Sequence, residues 1–318
     1  MDQRITVQGA QLVEVAQTAM EYAAKSRSVS TVKAYQNDWQ DFTAWCAEQA
    51  LQAMPASPET LALYLTAKVD AVKVSTLERR LGAISQAHKA AGHSPVSTRL
   101  EPLHSVWQGI KRTKGTVQHG KAPARTDDIR AMVDTLPNSL LGIRDRALLL
   151  IGFAGAFRRS ELVALDVDHV QVTKEGLVIT LERSKTDQEG QGRKVGIPYG
   201  SNPATCPVRA LHAWLGASGI KDGALFRSVN RHGQLHDGRL SDKAVALVVK
   251  RCADAAGLDA SMYSGHSLRS GLATSAAAAG VSERAIMAQT GHKSVNMVRR
   301  YIREGSLFRE NAAAGVGL

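Results

Sequence analysis

The chain has 318 residues and carries 40 Lys+Arg against 29 Asp+Glu, a net charge of +11 and a pI near 9.7. So basic a surface selects a polyanion as partner, nucleic acid ahead of a membrane. No apolar run approaches the roughly 20 residues of a membrane span, so no membrane partner is expected. The length suits two domains with separate cores, and 44% hydrophobic but only 5% aromatic residues favour alanine- and leucine-rich helices over strands. Met1-Asp2-Gln3-Arg4 leads into a polar stretch without the apolar core of a signal peptide. Cys46, Cys206 and Cys252 are odd in number and widely separated, which suggests neither a disulfide framework nor a zinc site. A cytoplasmic protein with reduced thiols is the expectation.

From Gln8 to Lys114 the pattern predicts helices over Leu12 to Lys25, Ser30 to Ala50, Pro58 to Val69, Ser75 to Ala91 and Thr98 to Thr113. Ser30, Ser57 before Pro58, and Ser75 supply helix-entry chemistry. Tyr35, Trp39, Phe42 and Trp45 recur every three or four residues, a stripe that reads as core. Lys33, Lys73, Arg79, Arg80 and His88 could face a nucleic-acid backbone, although charged helix faces are commonly just solvated. Residues 115–123 are polar and glycine-containing with no period, and read as a linker. The division is therefore a helical bundle over 1–114, the linker, and a second domain over 124–318.

In that second domain an apolar helix is expected over Arg144 to Gly155 and a short one over Arg159 to Leu165. β-branched residues cluster at Val167 to Val172, Leu177 to Glu182 and Lys194 to Pro198, with Gly190 and Gly192 in a turn before the last, which predicts a three-stranded antiparallel sheet. Helices resume over Pro207 to Ala217, Ser241 to Ala256, Ser267 to Ala279, Ser282 to Gln289 and Ser294 to Arg303. The fold class is mainly α with a small antiparallel β-sheet, a helical bundle followed by an α+β domain. Residues 1–120 hold 13 basic and 10 acidic side chains, residues 121–318 hold 27 and 19. The charge excess sits in the second domain.

So do the chemically suggestive residues. His266 and Arg269, three apart, share a helical face beside the positive helix start at Ser264 and Gly265. Arg158 ends an apolar helix, where a buried cation is costly unless an anion meets it. Lys185 falls at the tip of the expected hairpin, and Tyr301 follows His292 by nine residues on a helix that Ser294 can cap. A nucleophile, proton handlers and fixed cations are the parts needed to break a phosphodiester, whose charge otherwise repels attack. Each part alone has a plainer reading: Tyr301 as a packed ring, Lys185 as a solvated lysine beside Lys174 and Lys194, Arg159 as a surface or phosphate-backbone cation. His232 and His236 lack a third ligand and read as loop residues, and no glycine-rich phosphate loop or carboxylate cluster is present.

Taken together, Arg158, Lys185, His266-Ser267-Leu268-Arg269, Gly291-His292 and Tyr301 resemble the active site of the tyrosine recombinases, or phage-type integrases. Ser264-Gly265-His266-Ser267, Ala279-Gly280-Val281-Ser282 and Tyr301-Ile302-Arg303 resemble the Cre-like branch. His292 departs from Cre itself, which has tryptophan there, and is typical of the wider family. The resemblance implies a SAM-like core-binding domain followed by a catalytic domain. It makes Tyr301 the nucleophile, Arg158, Arg269 and His292 the phosphate holders, Lys185 the general acid, His266 the proton-transfer partner of the tyrosine, and Glu161 a supporting residue. It also implies no cofactor, double-stranded DNA with an inverted-repeat site as partner, one or two protomers per site, and a homotetramer at synapsis. The tail 305–318, with Leu307 and Phe308 as anchors, is then expected to pack on a neighbouring subunit. Two other readings stay open: type IB topoisomerase-like relaxation of DNA, and a catalytically silent DNA-binding regulator.

Overall fold

In the computed structural model the described residues are 15, 18, 22, 26–116, 120–182 and 192–305, with side chains as far as Tyr301. The chain divides into two compact units, Met1–His119 and Gly120–Leu318.

The first unit contains α1 (Val29–Glu48), α2 (Pro58–Lys68), α3 (Val74–Ala90) and α4 (Leu103–Lys114). The cap of α1 is Ser28 and not Ser30: its Oγ accepts from the Thr31 N–H at 3.3 Å. Ser57 caps α2 as expected, accepting from Thr60 N–H at 3.2 Å. Helix α4 starts after Pro102, five residues beyond the expected Thr98, because proline lacks the N–H and restricts the residue before it. The helix expected over Leu12 to Lys25 lies almost wholly outside the described residues. Phe42 is buried in a core with Tyr64, Leu65, Leu77, Ile84 and Trp107, and Trp39 and Trp45 pack against it, so the aromatic stripe is core.

Three candidate nucleic-acid contacts in this unit are occupied structurally. His88 is buried, its Nε2 accepts the Ala56 N–H at 2.8 Å, and Nδ1 therefore carries the proton and donates to the Ile84 carbonyl at 2.8 Å. It is a satisfied core histidine. Arg80 donates to Asp41 Oδ2 at 2.7 Å and to Tyr64 Oη at 2.8 Å. Arg79 forks onto Asp38 at 2.7 and 2.9 Å. Only Lys33 and Lys73 of that set are exposed without such a commitment.

The second unit opens with a helix that the pattern reading passed over, α5 (Thr126–Asp134), whose Ile129, Met132 and Val133 are buried. Then come α6 (Leu140–Ala154) and α7 (Arg159–Ala164). Helix α6 begins four residues before Arg144 because Ser139 caps it, accepting from Gly142 N–H at 3.3 Å. Strands β1 (Val170–Val172), β2 (Gly176–Leu181) and β3 (Arg193–Pro198) form the expected antiparallel sheet in that order. Val167–His169 is a 3₁₀ turn and not strand. After α8 (Pro207–Ser218) a second hairpin, β4 (Arg227–Val229) with β5 (Leu235–Arg239), was not expected, being polar and mostly exposed. Helices α9 (Asp242–Ala255), α10 (His266–Ala278), α11 (Glu283–Thr290) and α12 (Val295–Gly305) follow.

Leu148, Ile151, Phe157, Ile179, Trp214, Phe226 and Val249 build one core around α6. Gly271 lets the backbone at Ala124 cross α10, since a Cβ there would lie 1.8 Å from the Ala124 carbonyl oxygen. The Ala124 N–H bonds the Ser267 carbonyl at 2.9 Å along the same crossing, which pins the start of α10. Among the described residues no helix is long and apolar enough to cross a membrane.

Candidate active site

Helix α10 begins at His266. The Ser264 N–H donates to Ser267 Oγ at 2.9 Å and the His266 N–H to Ser264 Oγ at 3.3 Å, which closes the first turn. One turn on, Arg269 is 1% exposed. Its Nη1 donates to the Ala156 carbonyl at 2.8 Å. Ala156 sits at φ 49°, a left-handed conformation unusual for a residue with a side chain, which turns its carbonyl toward the guanidinium. The other arm, Nη2, is buried with no hydrogen-bond partner among the described residues. A buried unsatisfied donor on a cation is costly, and an incoming anion would relieve it.

Arg158 does not end the apolar helix, which stops at Ala154, but is the N-cap of α7, where its N–H donates to Glu161 Oε2 at 2.9 Å and its Nη1 to Oε1 at 2.5 Å. Glu161 is itself buried, so one carboxylate fixes both backbone and guanidinium of Arg158. Arg193 brings a third guanidinium, 3.8 Å from Glu161 Oε2. Burial, then the neighbouring Arg158, holds Arg269 down to about 10, with Glu161 opposing, and a guanidinium at that value is still charged at neutral pH. Among the described residues, three cations thus surround one carboxylate.

Tyr301 on α12 faces His266 on α10, with the phenol oxygen 3.2 Å from Nε2. His292, in the turn after α11, stacks obliquely on Tyr301 with ring centres 5.9 Å apart, and its Nδ1 bonds Thr290 Oγ1 at 2.7 Å. Burial first, then Arg269 and Arg158, pushes the His292 pKa down to about 4. His266 is lowered too, by burial and then Arg269, Arg158 and Arg159. Both histidines are thus neutral at pH 7 and can accept a proton or donate N–H without adding charge.

Of the residues singled out in the sequence, Arg158, Glu161, His266, Arg269, His292 and Tyr301 come together here. Lys185 lies outside the described residues. Arg159 stands at the rim, half-exposed and 3.7 Å from Asp242, with its stem over Gly265. His232 and His236 are exposed, and among the described residues no group of three His, Cys, Asp or Glu side chains converges as a metal site. Two members were missed. Thr290, buried, holds His292, and its only sequence signal was its place before Gly291-His292. Arg193 read as one more cation beside Lys194 at a strand start, and only the sheet register turns it inward.

The sequence family described as phage integrase matches residues 124–306. An integrase/recombinase xerD homolog of Selenomonas ruminantium is 43% identical over 293 residues, spanning 91% of this chain and 85% of its own. Recombinase cre of Escherichia phage P1 is 28% identical over 287 residues, spanning 82% and 80%. The chain belongs to the phage integrase family, the tyrosine recombinases, whose class of reaction is site-specific recombination. Among solved structures, the XerH site-specific recombinase bound to palindromic difH substrate superposes with a TM-score of 0.61 at 17% identity, over 81% of this chain and 72% of that one, a shared fold. Two-domain, mainly helical architecture with small antiparallel sheets is common to both.

Proposed function

We propose that this enzyme cuts and rejoins duplex DNA through a covalent 3′-phosphotyrosine link at Tyr301, exchanging strands between two inverted-repeat sites. The observation that carries the reading is the phenol of Tyr301 held 3.2 Å from Nε2 of a neutral His266, next to the unsatisfied arm of buried Arg269. An ordinary phenol has a pKa near about 10, so attack at neutral pH needs an acceptor for its proton. As the Tyr301 oxygen bonds to phosphorus, the proton passes to His266 and the bond from phosphorus to the 5′-oxygen breaks. Lys185 is assigned the proton delivered to that leaving 5′-hydroxyl. Arg158 and Arg269 hold the non-bridging oxygens, where charge accumulates in the transition state, and His292, whose Nδ1 proton is given to Thr290, hydrogen-bonds one of them through Nε2 once the phosphate's charge brings it a second proton. Glu161 braces Arg158. The reverse sequence reseals the strand, and ester exchange is close to neutral in free energy, so the reading invokes neither metal nor ATP.

The first unit is assigned as the core-binding domain over 1–114, 115–123 as linker and 124–318 as the catalytic domain. Lys33 and Lys73 in the first, and Arg159 in the second, are assigned to phosphate contacts. One or two protomers occupy each site, and the tail 305–318, which beyond 305 lies outside the described residues, is assigned to the contact with the next subunit that closes a tetramer on two duplexes. Deleting 305–318 is expected to abolish synapsis in gel filtration with DNA and to spare binding by the monomer.

The test of the chemistry uses duplexes selected from a random-sequence pool by the Tyr301→Phe protein. The wild type is expected to form an adduct on these that survives denaturing electrophoresis, and Tyr301→Phe to bind equally and form none. An adduct persisting in Tyr301→Phe removes Tyr301 as nucleophile. Relaxed plasmid without recombinant product points instead to topoisomerase-like activity, and binding without any wild-type adduct to a regulator.

A further inference from the structure

Arg193 has no part in the chemistry assigned above, yet it is the side chain that meets both halves of the site. Its Nη1 donates to the Gln289 carbonyl at 2.9 Å, one of the last-turn carbonyls of α11 that have no partner within the helix. A cation at that end also complements the helix dipole. On its other side Nη2 lies 3.8 Å from Glu161 Oε2, the carboxylate that already fixes Arg158. The guanidinium passes over Gly291, at φ +66°, where a Cβ would stand 2.8 Å from Arg193 Nε. Glycine there both permits the backbone turn and makes room for the arginine. The same last turn is tied to the end of α6 and to β3 by Gln289, whose Nε2 donates to the Ala154 and Gly196 carbonyls at 2.7 and 3.1 Å.

We infer that Arg193 is a positioning residue, clamping the Glu161–Arg158 pair to the turn that presents His292 so that the arginine and histidine sides of the pocket keep one geometry. With Nη1 bonded to the Gln289 carbonyl and Nη2 in an ion pair with buried Glu161 at 3.8 Å, without a hydrogen bond among the described residues, it acts through these neighbours. Its electrostatic influence reaches both Arg269 and His292, which places it within range of each. Lysine is a poor replacement, because one ammonium cannot span a carbonyl and a carboxylate as a planar fork does.

The effect on cleavage rests on the recombinase reading; the clamp itself does not. On the selected duplexes Arg193→Gln is expected to bind as the wild type does and to form adduct about 100-fold more slowly in a single turnover, the scale of a misplaced catalytic group. Arg193→Lys, which keeps charge and fold, should recover part of that loss. In a His292→Ala background the Arg193→Gln change should cost little more, since the group it positions is gone. Full additivity of the two, or binding that falls as far as cleavage, would mark Arg193 as a direct phosphate ligand and overturn the inference. Independently of DNA, amide exchange at Gly291, whose N–H bonds the Met287 carbonyl at 2.7 Å, should quicken about fivefold in Arg193→Gln, as for one lost hydrogen bond. Unchanged exchange there also overturns it. Faster exchange in a protein that forms no adduct even as wild type leaves the clamp standing and the recombinase reading refuted.

Discussion

Two arginine clusters, one in each unit, are matched differently, although the second unit also holds carboxylate-paired arginines such as Arg144 and Arg251 on Asp145 and Arg80 Nε in the first is itself buried without a hydrogen-bond partner among the described residues. In the first, Arg79, Arg80 and Lys68 meet Asp38 and Asp41 at distances from 2.7 to 3.8 Å, and Tyr64 adds a further bond. In the second, Arg158, Arg193 and Arg269 gather about Glu161, the one carboxylate beside all three among the described residues, and the Nη2 atoms of Arg193 and Arg269 stay buried without hydrogen-bond partners among those residues. A cation that serves folding is matched by carboxylate at low cost in desolvation. A cluster in which buried cations outnumber carboxylates among the described residues suits an incoming anion. The contrast separates structural from functional arginine where residue type and exposure do not.

The largest expected break of this contrast is Arg269→Leu. Adduct formation should fall by about 100- to 1,000-fold, as for loss of one preorganised charge donor, while the melting temperature holds or rises, because leucine removes an undercompensated buried cation. A protein that unfolds instead would show that Arg269 is structural after all. Next comes pH. His292 is pushed down to about 4 from an ordinary value near 6.5, so folding is opposed wherever the unfolded chain takes up the proton that the folded one refuses. Its contribution to stability is complete above pH 6.5 and is lost as pH falls toward 4, by roughly 3 kcal/mol at about 1.4 kcal/mol per pKa unit. Comparing acid unfolding of the wild type with His292→Gln isolates this from the carboxylates: the variant should lose less stability across that window. Equal slopes would remove the burial argument for His292. Adduct formation should decline with acidification as well, because His266, also lowered, must be neutral to take the phenol proton.

How much of this was legible in the sequence follows from where each signal lives. Part of the candidate set shows in local spacing, since His266 and Arg269 share a helix turn and Tyr301 sits on the helix that follows His292, but the set as a whole is assigned by family resemblance. The three-stranded sheet was legible from β-branched clusters. Helix α5 was not seen although Ile129, Met132 and Val133 carry its period, because nine residues next to a linker offer little pattern. The β4–β5 hairpin is mostly polar, with only Val229 and Leu235 packed on the core, and its turn is held by Asn230, whose Oδ1 accepts from the N–H groups of His232 and Gln234, so little hydrophobic alternation announces it. Arg193 and His88 fail for a shared reason. Whether a basic side chain points to solvent, to a carboxylate or to a backbone carbonyl depends on residues dozens of positions away: Ala56 for His88 and Gln289 for Arg193.

In the first unit the same contrast predicts smaller effects. Asp38→Ala leaves Arg79 without its fork and Arg80 short of one partner, and should lower stability by about 2 kcal/mol in urea unfolding, the scale of a lost charged hydrogen-bond pair. Cleavage by whatever remains folded should be unchanged. An equal loss of cleavage would mean that Arg79 and Arg80 face substrate and are matched only in its absence.

The smallest effect is the most discriminating for the basic surface. Lys33 and Lys73 are exposed and are assigned to phosphates, so Lys33→Ala and Lys73→Ala should each leave the melting curve alone and reduce the slope of log K against log salt by about 1, the signature of one released counterion. His88→Ala should do the reverse, because it removes the acceptor of Ala56 N–H and the donor to Ile84 from a buried site. Stability should drop by about 2 kcal/mol with the salt slope intact. If the lysine changes leave the slope untouched, these two residues are solvated cations of an ordinary helix face, and the excess positive charge that draws DNA to this protein resides in the second unit alone.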